Sequence, residues 1–360
     1  MSESAKHVSG TLPPNATIGI IGGGQLGRML AASAAQLGYR TIVLEPGAEP
    51  PAAQLCNRHI AADYDDEDAL SELARCCDVI TYEFENVPMK SAHYLAPLAP
   101  LYPPPRALEV SQDRLLEKQT LTAMGIDVAP FVAVETLAEL QAGLDQLGGG
   151  VLKTRRFGYD GKGQKVIDPG SQVDDGILAT VGKGPFVLEQ RIRFDAEFSV
   201  IAARARDGTC GAFDPADNTH VGGILDRSRV PSHLPKVICA KAAAMAEKLL
   251  HELDYVGTIG VEFFHVDGEI LVNEFAPRVH NSGHWTVEAC QHSQFDQHIR
   301  AIAGLPLASF SRHHDCEMIN LVGTDEVGEW LTHSGASLTL YGKAQVRPGR
   351  KMGHVTLIEP

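Results

Sequence analysis

None of the seven cysteines forms a CxxC pair, so the chain outlines neither a zinc site nor a regular disulfide framework. A reducing cytoplasm is the natural setting for such a chain. No apolar run approaches the length of a membrane span. The opening MSESAKHVSGTLPPNA lacks the apolar centre of a signal peptide. Positive charge is also short: 31 basic residues face 45 acidic ones, leaving a net charge of -14. Such a surface repels nucleic acid and anionic membrane at long range, although a local basic pocket can still take a phosphate. The GxxxxGK[ST] phosphate loop is missing, and no spacing suggests a Ser/His/Asp or Cys/His nucleophile. Internal repeats and low-complexity tracts are absent. The substrate expected from these absences is a small molecule.

What is present suits a soluble globular chain of 360 residues, 44% hydrophobic and 21% charged, with room for two or three domains. The most informative stretch is Thr258–Trp285, TIGVEFFHVDGEILVNEFAPRVHNSGHW. Apolar alternation around Glu262 and Glu274, with Asp267-Gly268 between, predicts a hairpin. Acids among Val, Phe, Ile and Leu are costly to bury without a cation. A Mg2+ ion shared with substrate phosphates would supply one; a solvated sheet edge fits these two residues equally well. A strict two-residue turn would pair Glu262 with Asn273 and put Glu274 on the opposite face. A shared metal therefore requires a longer loop or a bulge.

Read in order, the chain begins with a strand at Thr17–Ile21, a helix to about Leu37 closed by Gly38, and a strand at Arg40–Leu44. A helix over Asp66–Cys76 and a strand at Val79–Tyr82 complete a βαβαβ half-domain with a parallel sheet. The proline-dense segment Pro97–Pro105 marks a boundary or rigid connection. Helices are expected over Asp113–Met124, Leu137–Leu147, Pro235–His251 and Asp296–Ala303. Strands are expected at Phe131–Val134, Val151–Thr154, Lys165–Ile167, Phe186–Glu189, Glu197–Ala203 and Val355–Ile358. The fold class is α/β with α+β parts: a Rossmann-like parallel-sheet domain at 16–112, a helical connection at 113–130, a small lid at 131–191 and a mixed domain at 192–360.

Gly22, Gly24 and Gly27 satisfy GxGxxG between strand and helix, with Glu45 placed like a ribose-binding acid. An NAD enzyme is one reading of that motif. Binding of another anion and simple helix–strand packing are two more. Arg28 after the third glycine counts against the dinucleotide. A second glycine-rich loop, FGYDGKGQ at 157–164, follows Lys153 and could offer N–H donors and Lys162 to phosphates; a plain flexible hairpin is the alternative. Lys118 and Lys153 could meet at those phosphates, or be solvated. Beyond them, Val187–Gln190 could be a hinge whose backbone bonds a purine edge, with Glu189 at its exocyclic amine and Glu197 at a ribose; both acids could equally be exposed strand ends. His220 is too isolated to assign from the residues alone. Lys343, Arg347, Arg350 and Lys351 make a cationic loop suited to a phosphate, or one that balances surface charge.

Together these segments resemble the N5-carboxyaminoimidazole ribonucleotide synthase family, ATP-grasp ligases of purine synthesis. The resemblance rests on GGGQLGRM at 22–29, DRLLEK at 113–118, RRFGYDGKGQ at 155–164, VLEQRIRFDAEFS at 187–199 and NTHVGGIL at 218–225. It continues through GVEFF at 260–264, NEFAPRVHNSGHWT at 273–286, INL at 319–321 and VRPGRKMGH at 346–354. A departure lies at Phe213-Asp214-Pro215, where the family usually has an aromatic–proline dipeptide.

The resemblance implies an ATP-grasp fold with a pre-ATP-grasp domain, a lid and a C-terminal domain. ATP contacts fall on Arg114, Lys118, Lys153, Phe157, Gly158, Tyr159, Asp160, Gly161, Lys162, Gly163, Glu189, Gln190, Glu197, His220, Asn273 and Glu274. Glu262 and Glu274 are the implied Mg2+ ligands, with Mn2+ as a possible substitute. The implied aminoimidazole ribonucleotide site takes Gln25, Tyr159, Arg278, Asn281, Ser282, Lys343, Arg350 and Lys351. Lys153, Arg278, His280 and His284 are the catalytic candidates, with a histidine accepting the amine proton. The implied reaction consumes ATP and bicarbonate, passes through carboxyphosphate, and carboxylates the exocyclic amine of 5-aminoimidazole ribonucleotide. A cytoplasmic homodimer is also implied. Three rivals remain at this point: another ATP-grasp ligase such as a formate-using transformylase or biotin carboxylase, an NAD dehydrogenase, and a non-catalytic nucleotide-binding module.

Overall fold

The computed structural model describes residues 10–158 and 161–358. Strand β1 (Thr17–Ile21) is wholly apolar from Ile18 onward apart from Gly19, and both its neighbours run parallel to it. Such a run predicts a strand covered on both faces. Around it lie helix α1 (Gln25–Gln36), β2 (Arg40–Leu44), β3 (Arg58–Ile60), α2 (Glu67–Cys76) and β4 (Val79–Tyr82), and the sheet order is β3-β2-β1-β4. Asp66 starts α2 by accepting from Asp68 and Ala69 N–H groups, the ordinary N-cap arrangement.

The three-residue strand β3 was not expected, being too short to show alternation. Helices α3 (Met89–Leu95) and α4 (Pro105–Ser111) were also missed. The proline-dense segment between them does not leave the sheet: Leu101 bridges Ile80 in parallel, and Ala99, Leu101 and Leu108 join the same core as Ile21, Leu44 and Ile80. Proline ends helices while leaving the extended chain free to pack. Helix α5 (Arg114–Ala123) follows, capped by Asp113 through Leu115 and Leu116 N–H groups.

A small antiparallel sheet comes next, built from β5 (Phe131–Val134), β6 (Gly150–Thr154), β7 (Gln164–Ile167) and β8 (Phe186–Glu189) in the order β5-β8-β6-β7. Helix α6 (Leu137–Leu147), opened by a Thr136–Glu139 capping box and closed by Gly148 at φ 68°, lays Leu140 and Leu144 on Leu152 and Leu188. Helix α7 (Asp175–Val181) precedes β8.

The remaining strands form one large sheet: β9 (Ala196–Arg204), β10 (Cys210–Ala212), β11 (Ala216–Val221), β12 (Ile224–Val230), β13 (Gly257–Val266), β14 (Glu269–Ala276), β15 (Cys316–Val322), β16 (Ala336–Leu340) and β17 (Lys351–Ile358). Their order is β14-β13-β9-β11-β12-β15-β17-β16, with β10 beside β9. Helix α8 (Lys236–Glu252) buries Ile238, Ala242, Ala246 and Leu249 against Phe198, Val200, Ile259 and Val261. Three helices complete the chain: α9 (Thr286–Ala289), α10 (Gln294–Ile302) and α11 (Gly328–Thr332). The parallel sheet is joined to this larger body through buried His298 on α10, which meets Thr81 at 2.8 Å and accepts from Thr258 N–H at 3.1 Å. Among the described residues no helix is long and apolar enough to cross a membrane.

Candidate active site

The hairpin β13–β14 answers the geometric requirement posed by its sequence. Asp267 and Gly268 both have positive φ, 49° and 83°, as a two-residue turn of the primed type needs. Counting back from Val266–Glu269, the ladder stays regular to Phe263–Val272 and then shifts, so that Glu262 pairs with Glu274. Asn273 is the extra residue of a bulge. Both carboxylates consequently line one cavity of about 900 Å³, within the usual range for a small-molecule site.

That cavity lies where the three sheets meet. Gln25, Glu85 and Asn86 reach it from the parallel domain, Arg114 from α5, Lys153, Gly158, Gly161 and Lys162 from the small sheet, Glu189 and Gln190 from the hinge, and Glu197 from β9 of the large sheet. His220, Glu262, Asn273, Glu274, Arg278, His280 and Asn281 come from the large sheet and its following turn, and Lys343, Arg347, Arg350 and Lys351 from the cationic loop. Tyr159 and Asp160 lie outside the described residues.

The charges inside are paired asymmetrically. Glu274 accepts from Arg114 at 2.6 Å. Burial alone would raise its pKa, but Arg114 and the nearby lysines outweigh burial and hold Glu274 well below the usual carboxylate range. Glu262 has His280 Nε2 at 3.4 Å in place of an arginine, and burial, then the Glu274 charge, push its pKa up. One ligand atom each from Glu197, His220 and Glu262 lies within 4.8 Å of the others, and Glu197 sits 2.9 Å from His220. Carboxylate oxygens are the donors Mg2+ takes. Glu262 and Glu274 paired across the ladder, their charges repelling, fit a divalent cation, with Glu197 and His220 beside Glu262.

Lys118 and Lys153 meet, as the sequence allowed, but on a protein carboxylate. Glu189 stands 2.9 Å from Lys153 and 3.2 Å from Lys118. Lys118 is 1% exposed and does not line the cavity; its ammonium also donates to Asn273 O at 3.1 Å. The Glu189 carboxylate is therefore committed on one oxygen to two lysines. Its other oxygen, Oε1, is buried without a partner. Lys153 has its pKa lowered, by burial first and with Glu189 opposing.

The histidine candidates separate. His280 lies over Gly260, where an added Cβ would stand 2.5 Å from His280 Cβ. Its Nδ1 accepts the Ser282 backbone N–H at 3.4 Å and lies 2.8 Å from Ser282 Oγ, which leaves the proton on Nε2, 3.4 Å from Glu262. Burial first, then Arg278 and Lys351, push His280 down to about 3, so it is a weak base. His284 is fully buried, off the cavity, packed against His354 at 4.8 Å, and cannot reach an amine there. Ser282 is likewise buried, bonded to Ser199 at 2.7 Å. Phe157 is 72% exposed and lies on a side pocket beside Arg155 rather than in the main cavity. Gly163 supports the loop from behind, its missing Cβ sparing Thr154 Oγ1 a 2.7 Å clash.

Arg278 donates to Glu85 at 2.6 Å and to Val279 O at 3.0 Å. Glu85 and Asn86 were missed by sequence reasoning. The available signal was their position just past the C-terminal end of β4, where ligands gather on parallel sheets.

The dinucleotide motif is closed from within. Glu83, 8% exposed, accepts Gly24 N–H at 2.5 Å and Gly27 N–H at 2.6 Å. Glu45 takes Gly23 N–H at 2.8 Å and the Tyr64 hydroxyl. The donors a pyrophosphate would need are already satisfied by carboxylates. A Cβ on Gly22 would stand 2.4 Å from Glu83 Cγ, so the glycines make room for an internal anion.

Comparison with known proteins adds three matches to family models. Residues 15–112 match the ribonucleotide synthetase preATP-grasp domain, 119–295 the ATP-grasp domain, and 316–360 the phosphoribosylaminoimidazole carboxylase C-terminal domain. A Brucella melitensis protein named N5-carboxyaminoimidazole ribonucleotide synthase is 55% identical over 358 residues, 97% of this chain and 98% of its own. A solved ADP complex of an N5-carboxyaminoimidazole ribonucleotide synthetase superposes with a TM-score of 0.94 at 41% identity, covering 98% of this chain and 94% of that one. An Aspergillus clavatus synthase solved with ADP and the aminoimidazole ribonucleotide gives 0.90 at 32% identity, over 96% and 94%.

Proposed function

Because this chain belongs to the N5-carboxyaminoimidazole ribonucleotide synthase family, we propose that its cavity carboxylates the exocyclic amine of 5-aminoimidazole ribonucleotide with bicarbonate as the carbon source. The protein is an ATP-grasp ligase of purine biosynthesis that uses ATP. The observation that carries the finer reading is the pairing of Glu262 with Glu274 inside a cavity ringed by Lys153, Arg114 and the cationic loop.

Glu262 and Glu274 would hold Mg2+, with Mn2+ as a substitute, and bound there the ion would neutralise charge on the ATP phosphates. Lys153, Arg114, Gly158, Gly161 and Lys162 cover the phosphates. Glu189, Gln190, Glu197, His220 and Asn273 line the remainder of the nucleotide end, and Lys118 holds Glu189 in place. A bicarbonate oxygen attacks the terminal phosphorus, the bond to ADP breaks, and carboxyphosphate forms; preorganised cations lower the barrier. Arg278, fixed by Glu85, holds the carboxylate end. The amine nitrogen then bonds the carbon as the carbon–oxygen bond to phosphate breaks. The departing phosphate takes the amine proton, since His280 is a weak base and His284 is out of reach. Gln25, Asn281, Lys343, Arg350 and Lys351 receive the ribonucleotide, the last three at its phosphate. Keeping water out while these groups are close protects carboxyphosphate.

In this reading 16–112 carries the second substrate, 113–130 connects, 131–191 covers ATP and 192–360 supplies the metal ligands and cationic loop. A cytoplasmic homodimer is part of the same proposal. The test is ADP release from Mg-ATP and bicarbonate, with and without the ribonucleotide. Strong stimulation by the ribonucleotide that disappears when bicarbonate is removed is expected. ADP release indifferent to both would refute the proposal.

A further inference from the structure

The arginine of the GGGQLGRM motif is not used by the cavity. Arg28 is half-buried and does not line the site. Instead its Nε donates to Gln54 Oε1 at 3.2 Å and its Nη1 to Leu340 O at 3.3 Å. Leu340 ends β16, three residues before Lys343.

The intervening residues are held from the same side. Tyr341 is fully buried in the core that contains Leu26, Met29 and Ala52 of the parallel domain. Its hydroxyl lies 2.9 Å from His354 Nδ1, and its N–H donates to Met352 O at 2.9 Å. Gly342 sits at φ 72°, and a Cβ there would stand 2.6 Å from Gln54 Nε2. Beyond it, Lys343 Nζ donates to Lys351 O at 2.7 Å. The start of the cationic loop is thus clamped between α1, the turn at Pro51–Gln54 and β17.

We infer that Arg28, bridging Gln54 and Leu340, is a positioning residue that sets the cationic loop 343–351 to receive the phosphate of the second substrate. A guanidinium can reach both partners at once, which a lysine ammonium cannot do in the same fork geometry. The inference rests on the reading of that loop as the ribonucleotide's phosphate site, and its test keeps the two apart.

Steady-state kinetics of full-length Arg28→Ala, Arg28→Lys, Gln54→Ala and Arg350→Ala decide the matter. Arg28→Ala raises KM for the ribonucleotide by about five- to tenfold, the scale of a lost charge-assisted bond. KM for ATP and kcat stay within about twofold of wild type, because no nucleotide contact changes. Arg28→Lys and Gln54→Ala are intermediate, and they decide the question if Arg28→Ala does not fold. An unchanged ribonucleotide KM in these variants, with only a lower melting temperature, would overturn the inference by reducing Arg28 to a structural role. Arg350→Ala is the control on the premise: if it leaves the ribonucleotide KM unchanged, the loop is not the phosphate site and the inference falls with that reading.

Discussion

Glu262 stands opposite Glu274 because Asn273 is squeezed out of the ladder between Glu274 and Val272. Two carboxylates forced together in the cavity, Glu262 largely shielded and Glu274 more open, destabilise the metal-free protein. Glu262 is the member whose pKa is raised, by burial and by Glu274. A raised carboxyl pKa favours the protonated folded state, so its contribution is fully present at pH below about 4.5 and is lost as pH rises through the folded value. Glu262→Gln therefore raises the metal-free melting temperature, by on the order of 1–3 °C at pH 8, with a smaller gain at pH 5. The same substitution removes most turnover, about 100-fold or more in kcat. Thermal scans at the two pH values and ADP release check both halves.

Removing Glu189 has the opposite sign. Its carboxylate is 3% exposed and is the shared counter-ion of Lys118 and Lys153. Glu189→Ala leaves two buried cations uncompensated and costs about 3–5 kcal/mol. Urea unfolding of the purified variant measures it; a loss below 1 kcal/mol would show the lysines find other partners.

Glu83 makes a third case. It satisfies two buried N–H groups at the start of α1, so Glu83→Ala costs about 2–4 kcal/mol. Fluorescence titration of the wild-type protein is expected to show no saturable NADH binding, since the glycine cradle is already filled. Saturable binding at micromolar NADH would reopen the dinucleotide reading.

Acid stability follows from buried neutral histidines. Burial pushes His298 down to about 3. A lowered histidine pKa favours the neutral folded form, so its contribution is complete above the unfolded value near 6.5 and is lost as pH falls toward 3. His298→Gln keeps a donor and acceptor for Thr81 and Thr258. Its melting temperature falls less steeply than that of wild type between pH 6.5 and 4.

Much of this arrangement was legible in sequence. The parallel strands Thr17–Ile21, Arg40–Leu44 and Val79–Tyr82 and the helix Leu137–Leu147 match their apolar patterns and caps to the residue. The need for a bulge at Glu262–Glu274 followed from counting in twos, and the structure supplies it. What periodicity could not reach were partners distant in sequence. Nothing local tells that Glu83 fills the glycine loop, that Glu189 binds two lysines, or that His284 is sealed behind the cavity it was expected to serve. Short elements such as Arg58–Ile60 and Pro105–Ser111 escaped for another reason, having too few residues to express a period.

The most direct measurement is Mn2+ binding in the presence of ATP, followed by electron paramagnetic resonance, in wild type and in Glu262→Gln and Glu274→Gln. The facing pair predicts one tight nucleotide-dependent site whose affinity falls at least about tenfold in either variant. Unaltered Mn2+ affinity in both would contradict it.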